Sequence, residues 1–174
     1  MDRFDIPVLR TARLTLRALT TDDLDGFAAM QADPEVMRHL GTGETRSREE
    51  TWDLMARMLG QWALRGYGMF AVEETASGRF AGRAGILHPY TWPEPELAYG
   101  FDRPFWGQGL ATEVALALRD WAFDRMGFPR MISYVRPTNT GSVNVLRKLG
   151  ATHAGTQAML GAPAELWHHF PPAS

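Results

Sequence analysis

Trp106-Gly107-Gln108-Gly109-Leu110-Ala111-Thr112-Glu113 is the segment whose residue types point most directly to chemistry. A strand-like run, Glu96 to Phe101, precedes it, and a helical pattern begins at Leu110. The first amides of a helix have no intrahelical acceptor, and the helix dipole adds partial positive charge beside them. Glycines at 107 and 109 remove the Cβ atoms that would hold an anion off, so backbone N–H groups can converge on a phosphate. Neither common phosphate turn fits. A Walker A loop ends in Gly-Lys-Ser/Thr, whereas Leu110-Ala111 follow Gly109. A dinucleotide fingerprint counted from Gly107 needs Gly or Ala at 112, where Thr stands. Taken alone, a Gly-x-Gly is more often a plain loop and helix start.

Other chemistries find little footing. With no cysteine there is no disulfide, thiolate metal site or cysteine nucleophile. His39, His88, His153, His168 and His169 show no His-x-x-x-His spacing, and the last two point to opposite faces of a strand, so no metal is expected. A Gly-x-Ser-x-Gly elbow is missing. Eighteen Lys+Arg against twenty Asp+Glu give a net charge of -2, which argues against broad binding to nucleic acid or an anionic membrane. Six tryptophans are spread over four different elements without basic interleaving, and Trp52, Trp62 and Trp121 are expected in the core. Met1 to Asp5 is no secretory signal, and no apolar run is long enough to span a bilayer. These features predict one soluble, cytoplasmic domain over residues 1–174.

The elements that must position the turn are regularly punctuated. Arg13 to Arg17 alternates as a half-buried strand. Thr20 or Thr21 caps a helix that runs to Ala32, with Leu24, Phe27, Ala28 and Gln31 on one face, before Asp33-Pro34 ends it. Ser47-Arg48-Glu49-Glu50 is a capping box; Trp52, Met55, Leu59 and Trp62 follow at helical spacing, and Gly66 is the stop. Strands are predicted at 69–72 and 80–87 around an Ala76-Ser77-Gly78 turn, and again at 96–101. The helix from Leu110 to Met126 buries Leu110, Val114, Leu118 and Trp121 and exposes Arg119, Asp120 and Asp124. A strand at 130–135, a short helix from Asn139 or Thr140 to Gly150, and strands at 153–160 and 165–170 complete the chain. The order β-α-α-β-β-β-α-β-α-β-β is mixed α/β or α+β around one sheet.

Five segments, in order and at the right spacing, resemble the RimJ/RimL-type acetyltransferases of the GNAT superfamily. They are Arg10 to Arg17, Asp33-Pro34-Glu35-Val36, Gly66-Tyr67-Gly68, Trp106 to Glu113, and Asn139-Thr140-Gly141-Ser142-Val143-Asn144-Val145-Leu146-Arg147-Lys148-Leu149-Gly150. The resemblance implies a strongly twisted, mostly antiparallel sheet whose two parallel central strands splay apart, with acetyl-CoA as co-substrate in the gap. It implies backbone bonds to the pantetheine arm from Tyr99, Gly100 and Phe101. Trp106, Gly107, Gln108, Gly109, Leu110, Ala111 and Thr112 would form the pyrophosphate turn. Asn139 and Ser142 would face the thiol end, and Arg147 or Lys148 the nucleotide phosphates. Two positions depart from the superfamily pattern: Trp106 stands where Gln or Arg is usual, and Leu146 where a general-acid Tyr is usual.

Acetyl transfer to an amine needs a neutral nucleophile, a stabilised oxyanion and a proton for the thiolate. An α-amine with a pKa of about 7.7–8.0 is roughly 10–15% neutral at pH 7, a lysine amine only about four parts in ten thousand. Glu94 and Glu96 are the base candidates, each with a surface-carboxylate reading beside it, and Ser142 is the candidate proton donor. A backbone N–H within Tyr99 to Phe101 would meet the oxyanion. Glu113 is read as a first-turn acid favoured by the dipole. Tyr90 and Trp92, in the connector before the central strand, would wall the acceptor site. The acceptor is a protein N-terminal amine or a small-molecule amine, served by a monomer or homodimer. A non-catalytic acyl-CoA-binding module and an ATP- or NAD-binding protein stand as alternatives.

Overall fold

In the computed structural model, which describes residues 5–172, β1 (Leu9–Arg10) turns through Thr11 into β2 (Leu14–Arg17). Residues 1–4, part of the segment read as lacking a secretory signal, lie outside the described residues. A single 3-10 turn at Thr21–Asp23 leads into α1 (Leu24–Ala32), followed by α2 (Pro34–Met37) and α3 (Arg48–Arg65). Next come β3 (Met69–Glu74), β4 (Phe80–Leu87) and β5 (Glu96–Phe101), then α4 (Leu110–Met126), β6 (Met131–Val135), α5 (Thr140–Lys148), β7 (Thr152–Met159) and β8 (Ala162–His169). The strands form one sheet in the order β1-β2-β3-β4-β5-β6-β8-β7. Every neighbouring pair is antiparallel except β5–β6, which is parallel.

Local chemistry accounts for the boundaries. Ser47 Oγ accepts from Glu50 N while Glu50 Oε2 accepts from Ser47 N, the reciprocal cap expected for α3, and left-handed Gly66 closes it. Asp33-Pro34 ends α1 as expected, but it also starts α2. Asp33 Oδ1 accepts from Glu35 N, and Pro34 sits at the first position, where no N–H is missed.

Two layers of helix cover the sheet. On one face α4 packs Val114, Leu118 and Ala122 against Phe70, Ile86, Leu97 and Phe101. On the other, α1, α2 and α3 pack Phe27, Met30, Val36, Met55 and Met58 against Met69 and Ala71. A smaller cluster of Val135, Val143, Leu146 and Trp167 fastens α5 to β6 and β8. Two expectations fail. The buried stripe of α3 is Thr51, Met55, Met58 and Trp62, so Trp52 stands about 100° off it and is 48% exposed. Arg119 is not simply solvated, because its Nη1 donates to Leu149 O at 2.8 Å and holds the end of α5.

Successive strand residues face opposite sides, so Leu97, Tyr99 and Phe101 look toward α4, and Glu96, Ala98 and Gly100 toward α1 and α3. The segment β5-α4-β6-α5 is a parallel crossover. It brings the N-termini of α4 and α5 to the same end of the β5–β6 pair, beyond the strands' carboxyl ends.

Candidate active site

β5 and β6 meet at a single register pair, Glu96 with Ile132, where Ile132 N donates to Pro95 O at 2.9 Å. A continued parallel ladder would next join Tyr134 N to Leu97 O. Side chains take both places. Ser133 Oγ donates to Leu97 O at 2.7 Å, and Tyr134 N donates to Glu96 Oε1 at 3.2 Å. The strands therefore part after Glu96 without stranding these two groups. Behind the split, His169 Nε2 lies 2.9 Å from Ser133 Oγ; burial, with Arg119 and His168 nearby, pushes this histidine down to about 4. Ser133 spends its proton on Leu97, so its oxygen accepts from the ring N–H.

Beyond the split, β5 offers main-chain groups to the gap. Asp102 N bonds Ala81 O directly opposite, so alternate residues of β5 bond β4, and the N–H and C=O of Tyr99 point the other way. Trp106 Nε1 donates to Phe101 O at 2.8 Å, which satisfies that carbonyl and folds the following loop onto the strand end. The Trp at this position thus has a structural purpose in its N–H, and the residue as a whole is 42% exposed.

The glycine turn has the conformation that requires glycine. Gly107 and Gly109 have φ of 73° and 77°, a region that costs other residues roughly 1–2 kcal/mol. Gly109 is the cap residue of α4 and, lacking a side chain, gives the helix no side-chain cap. Glu113 N reaches Gly109 O, so the amides of Leu110, Ala111 and Thr112 precede the first intrahelical bond. A Cβ on Gly107 would meet nothing within 4 Å, and one on Gly109 only Arg13 Nη2 at 3.7 Å. The turn is pinned from behind. Glu113 Oε1 accepts from Thr11 Oγ1 at 2.6 Å and Arg13 N at 2.8 Å, its Oε2 pairs with Arg13 Nε, and Arg13 Nη1 donates to Gln108 O. Glu113 therefore anchors the β1–β2 corner to α4, and Gln108 folds its amide onto Pro104 O.

Across the gap, Ser142 in the first turn of α5 lies 2.9 Å, Oγ to Oη, from Tyr99. Burial pushes the Tyr99 phenol up to about 12, with the Ser142 bond opposing, so it stays protonated at neutral pH. Leu146 is fully buried in the cluster with Val135, Val143 and Trp167. The usual tyrosine position is thus part of the core, and a hydroxyl pair from β5 and α5 stands at the gap. Asn139 Oδ1 caps α5 through Ser142 N at 3.1 Å. Arg147 and Lys148 project, exposed, from the last turn of α5, with Arg147 Nη1 3.5 Å from Asn144 Oδ1.

The two carboxylates part company. Glu94 is gripped by Arg130 through two bonds of 2.7 Å, which holds its carboxyl below the usual range; a carboxylate so held is a poor proton acceptor. Glu96 is 7% exposed, and burial pushes it up to about 7, against the opposing pull of Trp92 Nε1 (2.7 Å), Tyr134 N and the Arg83 charge. It is no surface carboxylate. Trp92 stacks edge-on against Tyr134 and serves Glu96. Tyr90 is 96% exposed, on a turn closed by Trp92 N donating to Pro89 O, so its ring forms no wall in this structure. Sequence spacing assigns no role to the Tyr99 hydroxyl, Ser133 or Arg83. Arg83 and Ser133 carried a signal, as lone polar residues inside the runs Phe80–Leu87 and Met131–Val135.

Among the described residues no helix is long and apolar enough to cross a membrane, and no cluster of His, Asp or Glu could hold a metal. Residues 13–152 match the family model described as acetyltransferase (GNAT) domain. The chain is similar to an acetyltransferase from Agrobacterium tumefaciens, 32% identical, with 98% of each chain covered and a TM-score of 0.86. It is also similar to FsC-acetyl coenzyme A-N(2)-transacetylase of Aspergillus fumigatus, 28% identical over 160 residues, covering 86% of this chain and 67% of the relative. RimL, an alpha-N-protein acetyltransferase of ribosomal L7/L12 solved with coenzyme A, shares the fold at 19% identity and a TM-score of 0.79, over 94% and 98% of the two chains. The splayed pair, the glycine turn and these likenesses agree: the chain belongs to the GNAT acetyltransferase family, and it moves an acetyl group from acetyl-CoA to an amine.

Proposed function

We propose that the amides of Gly107 to Thr112 hold the diphosphate of acetyl-CoA, that the Tyr99 main chain faces its pantetheine arm, and that Glu96 is the general base for a primary amine. The residues fit that ligand on their own account. An uncapped helix start behind two left-handed glycines has open space above it, and a strand edge with unspent main-chain groups leads from it to the split. When bound, acetyl-CoA supplies an acyl group on a readily departing thiol. The observation that carries the reading is the buried carboxyl of Glu96 at the point where the two central strands separate.

Each residue then has a task set by its surroundings. Glu96, pushed up to about 7, takes a proton from the amine near neutral pH, directly or through one water. An amide facing the gap from Tyr99 donates to the carbonyl oxygen as charge develops there. Ser142 Oγ–H donates toward the departing sulfur while accepting from the Tyr99 hydroxyl at 2.9 Å, which stays protonated, and solvent supplies the proton that the departing thiol finally carries. The acceptor lies on the Glu96 face, under α1 and the α2–α3 loop, where Leu40 and Met30 close on Gly100.

Thermal-shift measurements with CoA, ATP and NAD test the site, and thiol release from acetyl-CoA with a panel of amines tests the reaction. At a hundredfold excess over Kd, a specific ligand adds about 2.7 kcal/mol, or roughly 5–10 °C for a chain of this size. CoA raises Tm by that amount while ATP and NAD do not. Equal shifts with all three, or CoA binding without turnover on any amine, refute the assignment.

A further inference from the structure

On the Glu96 face of the sheet, beneath the loop between α2 and α3, stand hydrogen-bond donors that serve nothing in the protein. Arg83 Nε and Nη1 and Gln31 Nε2 are shut off from solvent and have no partner among the described residues. Strand register puts Arg83 opposite Gly100, on the same side of the sheet as Glu96. The loop above is tied down. Leu40 approaches Gly100 so closely that a Cβ there would lie 3.0 Å from Leu40 Cδ1. Arg46 N and Nη1 donate to Gln31 O and Oε1 at 3.0 and 2.7 Å. Arg136 Nη2 donates to Gly41 O at 2.9 Å from the end of β6.

Two of the three guanidinium nitrogens of this partly buried arginine are thus withdrawn from water without a bonded acceptor, which destabilises a fold, and buried donors in proteins almost always find partners. Burial pushes Arg83 down to about 10, with the Glu96 charge opposing and the Arg46 charge adding to the fall. Nε and Nη1 belong to the two different edges with which a guanidinium grips a planar carboxylate, so each edge has an unused prong. The missing partner is an acceptor that brings negative charge to the face on which Glu96 receives the amine.

We propose that Arg83, with Arg46 and Gln31 behind it, binds a carboxylate of the acceptor, so that the substrate class is a primary amine that also carries a carboxylate, as amino acids do. This rests on the acetyltransferase reading of the site. It also assists the chemistry: an ammonium beside a free carboxylate holds its proton more tightly, and pairing that carboxylate with Arg83 releases the proton to Glu96 more readily.

The test is calorimetric binding to the CoA-loaded full chain of N-acetyl amino acids, spanning small, apolar, acidic and basic side chains, each beside its C-terminal amide. At least one carboxylate binds tenfold or more tightly than its amide, as expected for a charge-assisted bond in a buried site. Arg83→Met removes the preference, Arg83→Lys keeps part of it, and ligand-free Arg83→Met melts no lower than the natural protein, since it loses two buried donors that bond to nothing. Equal binding of every acid and amide, a preference that survives Arg83→Met, or a Tm several degrees lower in ligand-free Arg83→Met overturns the proposal. Thiol release with neutral and carboxylate-bearing amines separates the two readings. No turnover on any amine refutes the acetyltransferase site, whereas equal turnover on both members of each pair refutes only the carboxylate.

Discussion

Replacing Glu96 by Gln tests the base in two independent currencies. A carboxyl pushed from 4.5 to about 7 by folding is protonated in the folded chain and ionised in the unfolded chain between those values. The folded state therefore binds more protons in that window, and its stability falls as pH rises from about 4.5 through 7. At 1.36 kcal/mol per unit, the ionised form costs about 3 kcal/mol by pH 8. Gln escapes that cost but gives up one of the two bonds from Trp92 Nε1 and Tyr134 N, about 1 kcal/mol. Glu96→Gln is thus about 2 kcal/mol more stable than the natural protein at pH 8, raising Tm by roughly 4–8 °C, and about equal at pH 5. His169, held down to about 4, loses stability as pH falls from 6.5, so it flattens the natural protein's own profile; the difference between the two proteins isolates Glu96. In parallel, kcat/KM of the natural protein rises through an inflection near 7, and the variant loses both the inflection and about 10²–10³ in rate. A stability difference that does not change between pH 5 and 8, or an inflection that persists in Glu96→Gln, refutes the base.

Ser142→Ala lowers kcat by roughly tenfold with little change in the KM for acetyl-CoA, the small effect reflecting a thiol leaving group with a pKa of about 8.5; Tyr99→Phe costs less, and steady-state kinetics with unaltered kcat in Ser142→Ala removes the donor role. Gly109→Val puts a β-branched residue at φ 77° and at the mouth of α4, so calorimetry should show acetyl-CoA affinity falling at least 100-fold in a variant that still folds, by circular dichroism. Trp92→Phe removes a donor to the carboxylate, so the kinetic inflection moves upward by about one unit; a downward or absent move contradicts the link between Trp92 and Glu96.

Those parts of the site that depend on backbone conformation were legible in the amino-acid sequence. Gly107 and Gly109 announce a left-handed turn because other residues resist it, and Ser47 with Glu50 announces a helix start because the bond pattern is local. The short helix α2 is hidden for a related reason: Pro34 signals a stop, although the same fixed φ also begins a helix. Trp52 falls outside the buried stripe because an amphipathic pattern can be phased one residue late, and only the packing of Thr51 and Met55 settles it. Glu94 and Glu96 look alike in sequence, two positions apart. Arg130, 36 residues further on, claims the first, and burial beneath the α1–α3 face raises the second. The Tyr99–Ser142 pair spans 43 residues, and no local pattern points to it.

The split between β5 and β6 shows why these long-range contacts belong together. A parallel pair parted in mid-ladder leaves amides and carbonyls without partners, and an unbonded buried main-chain group costs as much as a lost hydrogen bond. Here Ser133 satisfies Leu97 O and Glu96 satisfies Tyr134 N, so the first step of the opening leaves neither of these groups stranded. Both substitutions use polar side chains, which must be withdrawn from water to do it. For Glu96 that withdrawal is what lifts its proton affinity to the neutral range. The residue that lets the strands separate is therefore given a base's proton affinity by the same placement. Beyond it, Tyr99 meets the gap with main-chain groups that no strand claims, and the starts of α4 and α5 close its far end. A single structural departure, a ladder broken after one pair, yields the gap between the strands, the carboxyl at its start and the main-chain donors beyond it.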